Sequence, residues 1–207
     1  METIKKDGFN LVRQTDGPDL GYSPTSGVKI IEVDGKAFKS FDGSDTLLPY
    51  EDWRLPMEER AADLASRLSV DEIAGLMLYS IQNKLPMPND TYGGKPFAES
   101  GMKAYDLSDA QIKFLTDDNL RHVLVSTVES PETAARWNNK VQALIEGRTH
   151  GITANNSSDP RHSAFADAEF SPGSDGSISL WSNMLGLAAT FSPETVEEFG
   201  RIAREEY

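Results

Sequence analysis

Helix and strand signals alternate along the chain after residue 55, and this alternation constrains the fold more than any other feature. The predicted strands are Leu76–Tyr79, Arg121–Thr127 and Gly151–Ala154. Helix start signals occur at Leu55-Pro56, Ser69, Ser108, Ser130-Pro131 and Ser192-Pro193. Because helices that alternate with strands form right-handed βαβ units, the sequence predicts an α/β fold with a parallel sheet.

Two kinds of helix signal support this pattern. Ser69 and Glu72 have the spacing of a capping box, and Pro131 stands at the first helical position after Ser130. The last helix has an apolar stripe formed by Val196, Phe199, Ile202, Ala203 and Tyr207. No C-cap glycine or proline follows that stripe, so we expect the chain to be the front part of a larger fold.

The first 45 residues are predicted to form an N-terminal arm or small hairpin. Val28–Val33 and Ala37–Phe41 are β-type runs around Asp34-Gly35, a pair that favours a hairpin turn. Residues 81–107 contain three prolines and three glycines, which predict a long loop.

The composition excludes several classes of partner. The 207 residues have a formal net charge of −13, which argues against nucleic acid because no basic patch can replace phosphate counterions. The charge does not favour anionic lipid, and no apolar run is long enough to span a bilayer. The absence of cysteine excludes disulfides and thiolate metal sites. Neutral partners such as sugars remain compatible with this composition.

The first ten residues include two lysines but lack the apolar segment of a secretory signal. The sequence as given therefore predicts a cytoplasmic protein. The protein is exported if a signal was removed and a start methionine added.

A polar stretch follows the third predicted strand. Asn155–His162 has no apolar side chain except the ring of Pro160. One interpretation is an ordinary polar loop. The other is a ligand site, because side chains that follow a strand of a barrel build the active site in (β/α)8 enzymes.

Four segments in this order resemble glycoside hydrolase family 3, the β-glucosidase family. They are LPYEDWRLPMEERAADLASRLSVDEIAGLM, LRHVLVSTVESPETAARWNNKVQALIEG, NNSSDPRH and LGLAATFSPETVEEFGRIAREEY. The resemblance extends over roughly residues 45 to 207. It implies a domain boundary near residue 45, with residues 1–45 as the arm and 46–207 as the N-terminal part of the family's (β/α)8 TIM barrel.

The resemblance implies a retaining exo-β-glycosidase. Retention requires two carboxyl groups about 5 to 5.5 Å apart, one as nucleophile and one as acid/base. The family's Ser-Asp-Trp-type nucleophile motif and its Lys-His pair do not occur here. A (β/α)8 barrel takes about 250 residues. We therefore expect three to four βα units, no catalytic residue in this chain and no activity of the isolated chain; no cofactor is implied.

The substrate-binding prediction rests on Asp159. In the family, an Asp-X-X-His-Gly-type turn after the third strand grips hydroxyls of the nonreducing-end sugar, and Asp159 and His162 stand at the matching positions. Here Ser163 replaces the glycine. Asp159 could instead cap the turn before Pro160. Arg161 is a further sugar-binding candidate, for a ring oxygen or an acidic sugar, or it could pair with Asp159 or Asp167. His162 could stabilise the turn or act as an acid/base.

Trp181 is the fourth substrate-binding candidate, since a tryptophan in this loop could stack on a sugar; packing is the alternative. Trp137 lies on a helical apolar stripe and is predicted to be core. A hard-metal site from Asp159, His162, Asp167 and Glu169 matches no known ligand spacing, so no metal is predicted.

Two functions follow as alternatives. The first is part of a β-glucosidase-like enzyme that acts on a β-linked oligosaccharide or glycoside, with an oligomeric contact or a partner chain covering the open sheet edge. The second is a non-enzymatic βαβ binding module, or a truncated fragment that pairs with another chain. The sugar, the linkage and the aglycone are not encoded in these residues.

Overall fold

The computed structural model describes residues 1–82, 86–125, 130–157 and 179–206. The chain divides into two compact units whose segments alternate along the sequence. The first comprises Met1–Leu78, Lys113–Arg121 and Asn139–Ala154, and the second comprises Tyr79–Ile112, His122–Asn138 and Asn155–Tyr207. The boundary predicted near residue 45 stays a prediction.

The first unit begins with antiparallel strands. Strands β1 (Glu2–Lys5), β2 (Asn10–Arg13) and β3 (Leu20–Tyr22) form one sheet in that order, and β4 (Lys29–Val33) pairs with β5 (Lys36–Ser40). Val33 lies opposite Lys36, which leaves Asp34 and Gly35 as the two turn residues. Both have positive φ, 53° and 74°, as a type I′ turn requires. The predicted hairpin is confirmed.

The strand β5 packs against an aromatic and charged cluster. The ring of Trp53 stacks on Phe38 with centroids 5.1 Å apart, and its Nε1 donates to the Ala37 carbonyl. The Arg54 guanidinium lies 4.8 Å from the Phe38 centroid and pairs with Asp52. These contacts leave Phe38 and Ala37 without exposed surface.

Two helices, α1 (Met57–Arg67) and α2 (Val70–Leu76), follow. The predicted capping box is present, because the Ser69 hydroxyl accepts from the Glu72 N–H and the Glu72 carboxylate accepts from the Ser69 N–H. No residue of α1 is buried by the described part of the chain, although its apolar residues have helical spacing.

The first predicted strand is misplaced. Helix α2 continues through Leu76, and strand β6 begins at Tyr79 and ends at Gln82. The short apolar run Leu76–Tyr79 is compatible with either structure, and the capping box decides for the helix.

The predicted loop over residues 81–107 contains regular structure. Strands β7 (Thr91–Tyr92) and β8 (Lys95–Pro96) form a small hairpin, and α3 (Phe97–Ser100) follows. Gly93 and Gly94 both have positive φ, 61° and 77°, so the glycine pair provides the turn that reverses the chain.

The next elements agree with prediction. Helix α4 (Asp109–Thr116) has the predicted Ser108–Gln111 capping pair, strand β9 is His122–Val125, and helix α5 is Pro131–Glu146. Trp137 is 1% exposed, as expected for a core residue.

The third strand was predicted too early along the chain. Gly151 belongs to a 3-10 turn with φ 59°, and strand β10 is Asn155–Ser157. The side chain of Gln142 forms hydrogen bonds with both backbone groups of Ala154. Its Nε2 donates to the Ala154 carbonyl and its Oε1 accepts from the Ala154 N–H, both at 3.1 Å. Ala154 therefore has no free backbone group for a sheet, and pairing begins one residue later.

Strands β6, β9 and β10 form a parallel three-stranded sheet in the order β10-β9-β6. Two helices close the described chain, α6 (Met184–Ala188) and the predicted α7 (Pro193–Glu206). The predicted α/β class and parallel sheet are present, and the described residues form no closed barrel.

Candidate functional site

The parallel sheet has one face that the described residues leave largely uncovered. Residues that pair across parallel strands share a face, so the register places six side chains together. This open strand face consists of Tyr79, Ile81, His122, Leu124, Asn155 and Ser157. Tyr79 is 60% exposed and Ile81 is 54% exposed.

The polar groups of the open strand face pair with one another. The Tyr79 hydroxyl lies 2.7 Å from the Ser157 hydroxyl, which connects the two edge strands across β9. The Ser157 hydroxyl also lies 3.4 Å from the Val123 carbonyl, to which it donates. One side-chain amide, Asn155 Nδ2, lies 3.4 Å from His122 Nδ1. Hydroxyl, amide and imidazole groups thus lie on one surface.

The opposite face carries Val123 and Gln82, which are 0% and 5% exposed. Asn156 Nδ2 donates to Asn138 Oδ1 of helix α5, so this face is the one that the helix covers. The side chain of Asn156 thus joins the sheet to the helix, while Asn155 lies on the open strand face.

The hairpin after β6 is fixed by one carboxylate. Asp109 Oδ2 accepts from the Gly94 N–H at 2.9 Å and from the Thr91 hydroxyl at 2.7 Å, and Oδ1 accepts from the Gly93 N–H at 2.8 Å. These three donors hold the pKa of Asp109 below its usual range.

Three predicted substrate-binding residues, Asp159, Arg161 and His162, lie outside the described residues. Trp181 is described. Its ring meets Phe199 of α7 edge-on with centroids 5.6 Å apart, and its Nε1 donates to the Ser179 hydroxyl at 3.0 Å. The ring is half-buried, so it takes part in packing; its role in sugar binding stays a prediction.

Sequence reasoning missed Tyr79 and Ser157 as a pair. Tyr79 had been placed at the end of a buried strand, and Ser157 within a polar loop. A distance of 78 positions separates them, and only the register of two non-adjacent strands brings them together. The one available signal was the phenol at the end of the apolar run Leu76–Tyr79.

The described strand residues of the open strand face include no carboxylate. They can donate and accept hydrogen bonds to a neutral ligand, but they supply neither a carboxylate nucleophile nor a carboxylic acid. Across residues 1–82, 86–125, 130–157 and 179–206, no cluster of three or more histidine or acidic side chains is placed to hold a metal ion. The four-residue metal alternative lies outside those ranges.

Known proteins that are similar to this chain share the name β-glucosidase. A periplasmic β-glucosidase/β-xylosidase of Dickeya chrysanthemi is 38% identical over 188 residues, 88% of this chain and 26% of that protein. Beta-glucosidase C of Emericella nidulans is 31% identical over 163 residues, 79% of this chain and 24% of the relative. This chain is a homologue of the β-glucosidases. The resemblance to β-glucosidases found in the sequence is therefore confirmed.

A probable beta-glucosidase C of Aspergillus oryzae is 30% identical over 166 residues, 79% of this chain and 24% of that protein. The chain thus spans about a quarter of the length of the curated relatives it matches. No protein-family model matches the chain. Within the described residues, no helix has both the length and the apolar character needed to cross a membrane.

Proposed function

We propose that this chain forms the sugar-binding front part of a retaining exo-β-glycosidase of glycoside hydrolase family 3. The observation that carries the proposal is the similarity to β-glucosidases over most of the chain. The parallel order β10-β9-β6 supports it, because consecutive parallel strands are the units of a (β/α)8 barrel. The three strands then correspond to the first barrel strands.

In this proposal Asp159 grips the hydroxyls of the nonreducing-end sugar. A carboxylate accepts two hydroxyl hydrogen bonds, and charge-assisted bonds are strong where water is excluded. Arg161 and His162 donate to the same sugar or shape the turn. Trp181 offers one ring face to the sugar, and its edge contact with Phe199 holds the ring in place.

The isolated chain is proposed to be inactive. A retaining mechanism needs a nucleophile and an acid/base about 5 to 5.5 Å apart, and the sequence carries no nucleophile motif of the family. Further polypeptide, from the same gene or from a partner chain, would supply both carboxyl groups. The exposed Tyr79 and Ile81 support this, since both faces of a parallel sheet are ordinarily covered.

The alternative is a binding module without catalysis, for which the open strand face would be the binding surface. Its hydroxyl and amide groups suit a neutral ligand, as the acidic net charge does. The location of the protein is proposed to be either cytoplasmic or exported. The name of the Dickeya relative, a periplasmic enzyme, supports export.

The decisive experiment compares two polypeptides on an aryl β-glucoside and an aryl β-xyloside. The product of the complete gene should release sugar whose anomeric configuration, followed by proton NMR during the reaction, is β at first. The 207-residue chain should release none above a mock purification. If the complete product binds β-glucosides without cleaving them, the non-catalytic module is correct. Initial release of the α-anomer would exclude the retaining mechanism.

A further inference from the structure

The connection between strand β6 and helix α4 is much longer than a link between a strand and a helix requires. Strand β6 ends at Gln82 and α4 begins at Asp109, so the connection comprises residues 83–108. Such connections usually have about two to six residues, and much longer ones are ordinarily functional or disordered. The described part of this connection forms the hairpin β7–β8 and helix α3, which indicates a functional element rather than a disordered one.

The tip of the hairpin is held by Asp109. In a two-residue hairpin turn, the N–H groups of the turn residues take no part in the strand ladder and can bond elsewhere. The Asp109 carboxylate accepts from the N–H groups of both turn residues, Gly93 and Gly94, and from the Thr91 hydroxyl. Hydrogen bonds to an ionised acceptor are stronger than bonds between neutral groups. A single side chain therefore fixes the orientation of the tip.

The residues next to Asp109 are anchored in the core of the second unit. Ser108 and Gln111 form the capping pair of α4 and are 1% and 8% exposed. The Gln111 Oε1 also accepts from Nε1 of Trp137, a side chain of α5 that is 1% exposed. A continuous path thus leads from a buried ring through the start of α4 to the hairpin tip.

The base of the hairpin has a separate support. Tyr92 is 5% exposed, and its ring packs against Phe97 of α3 with centroids 5.2 Å apart. This ring contact does not involve Asp109. Removing the Asp109 carboxylate should therefore loosen the tip while the base of the hairpin keeps its packing.

We infer that Asp109 is a positioning residue for substrate binding, which holds the tip of the β7–β8 hairpin against the bound glycoside. The inference rests on the proposed function, in which the connections that follow the carboxyl ends of barrel strands build the active site. The hairpin lies on the first such connection, after β6. Asp109 itself touches no reacting atom in this account, because both of its carboxylate oxygens bond to the hairpin.

Substrate kinetics of the complete gene product test the effect on binding. Asp109→Ala should raise KM on an aryl β-glucoside about three- to tenfold and leave kcat unchanged, because a misplaced hairpin weakens ground state and transition state alike. Asp109→Asn should have a smaller effect, since its amide oxygen still accepts from one N–H group. Thr91→Val, which removes only the hydroxyl donor, should also have a smaller effect. The matched control is Glu99→Gln, which removes one negative charge from an exposed side chain of the same connection and should leave KM unchanged.

Hydrogen exchange of the peptide covering Thr91–Lys95 measures the anchoring of the tip without any substrate. Asp109→Ala should speed exchange there about tenfold, and Glu99→Gln should not. Unchanged exchange in Asp109→Ala overturns the inference. Faster exchange with unchanged KM in an active enzyme also overturns it and leaves the glycosidase proposal intact.

Calorimetric titration with an aryl β-thioglucoside separates the two proposals if the complete product cleaves no β-glycoside. That inactivity removes the glycosidase proposal. If the inactive product binds the thioglucoside and Asp109→Ala weakens this binding about three- to tenfold, the positioning role is supported for binding alone. If the product does not bind the thioglucoside, or if Asp109→Ala binds it equally well, the positioning role is wrong.

Discussion

The hairpin β4–β5 and the parallel sheet β10-β9-β6 differ in how their side chains are covered. In the hairpin, Ile31 is 6% exposed and Phe38 is fully buried under Trp53 and Arg54. In the parallel sheet, Tyr79 and Ile81 are mostly exposed. The hairpin buries these apolar side chains within the described chain. On the open strand face the polar groups pair with one another, while Tyr79 and Ile81 keep most of their surface exposed.

This difference distinguishes the residues that we expect to affect stability from those that we expect to affect sugar binding. The ring contacts of Phe38 in the hairpin are made by Trp53 and Arg54, which are close to it in sequence, and they form a well-packed region within the described chain. The sheet keeps hydroxyl and amide groups on a surface that nothing described covers. We expect substitutions in the hairpin to act on the free energy of unfolding, and substitutions at the carboxyl ends of the sheet strands to act on sugar binding.

The largest expected difference in stability is between substitutions of two isoleucines, one in the hairpin and one on the open strand face. Ile31→Ala should lower the free energy of unfolding by about 2 to 4 kcal/mol, because it removes buried methylene groups and leaves a cavity. Ile81→Ala should cost less than about 1 kcal/mol in the 207-residue chain, because that side chain is 54% exposed. Urea denaturation measures both. Equal costs for the two variants would show that the open strand face is covered in solution.

A smaller effect is expected for a buried ion pair of the first unit. The Glu146 carboxylate accepts from the Ser23 N–H at 2.9 Å and from Lys39 Nζ at 2.6 Å. Glu146→Ala leaves the partly buried Lys39 ammonium and the Ser23 N–H without this acceptor. The substitution should lower the free energy of unfolding by about 2 to 3 kcal/mol.

Glu132→Ala is the matched control on the same helix. Its ion pair with Arg136 is exposed, so its loss should cost less than about 0.5 kcal/mol. Equal costs for the two glutamates would mean that burial does not strengthen the Glu146 pair. Thermal unfolding of both variants at one ionic strength provides the measurement.

The sequence predicted those parts of the fold that depend on neighbouring residues. The Asp34-Gly35 turn and the Ser69–Glu72 capping box were both recognised, because each is defined within four residues. Strand β9 and helix α5 followed from periodicity. The third strand was placed too early because Gln142, twelve positions away, satisfies the backbone of Ala154.

The candidate site was less accessible to sequence reasoning. The sequence pattern identified the polar stretch Asn155–His162, but it could not pair Tyr79 with Ser157, since that contact requires the register of strands that are not neighbours. The Gly93-Gly94 turn was visible in the sequence and was passed over within a long proline-containing segment. The fixing of this turn by Asp109 depends on tertiary structure.

The sugar-binding role of Asp159 is the central claim, and the kinetics of Asp159→Ala in the product of the complete gene test it most directly. One carboxylate bonded to sugar hydroxyls is worth about 1.5 to 3 kcal/mol. We expect kcat/KM on a β-glycoside to fall about ten- to several-hundredfold, with a loss of stability of about 1 kcal/mol or less. Asp159→Asn should recover part of the activity, and Asp167→Ala, eight positions further along the chain, should leave it unchanged. If Asp159→Ala leaves kcat/KM unchanged on every β-glycoside that the enzyme cleaves, Asp159 is a turn residue and the account of sugar binding is wrong.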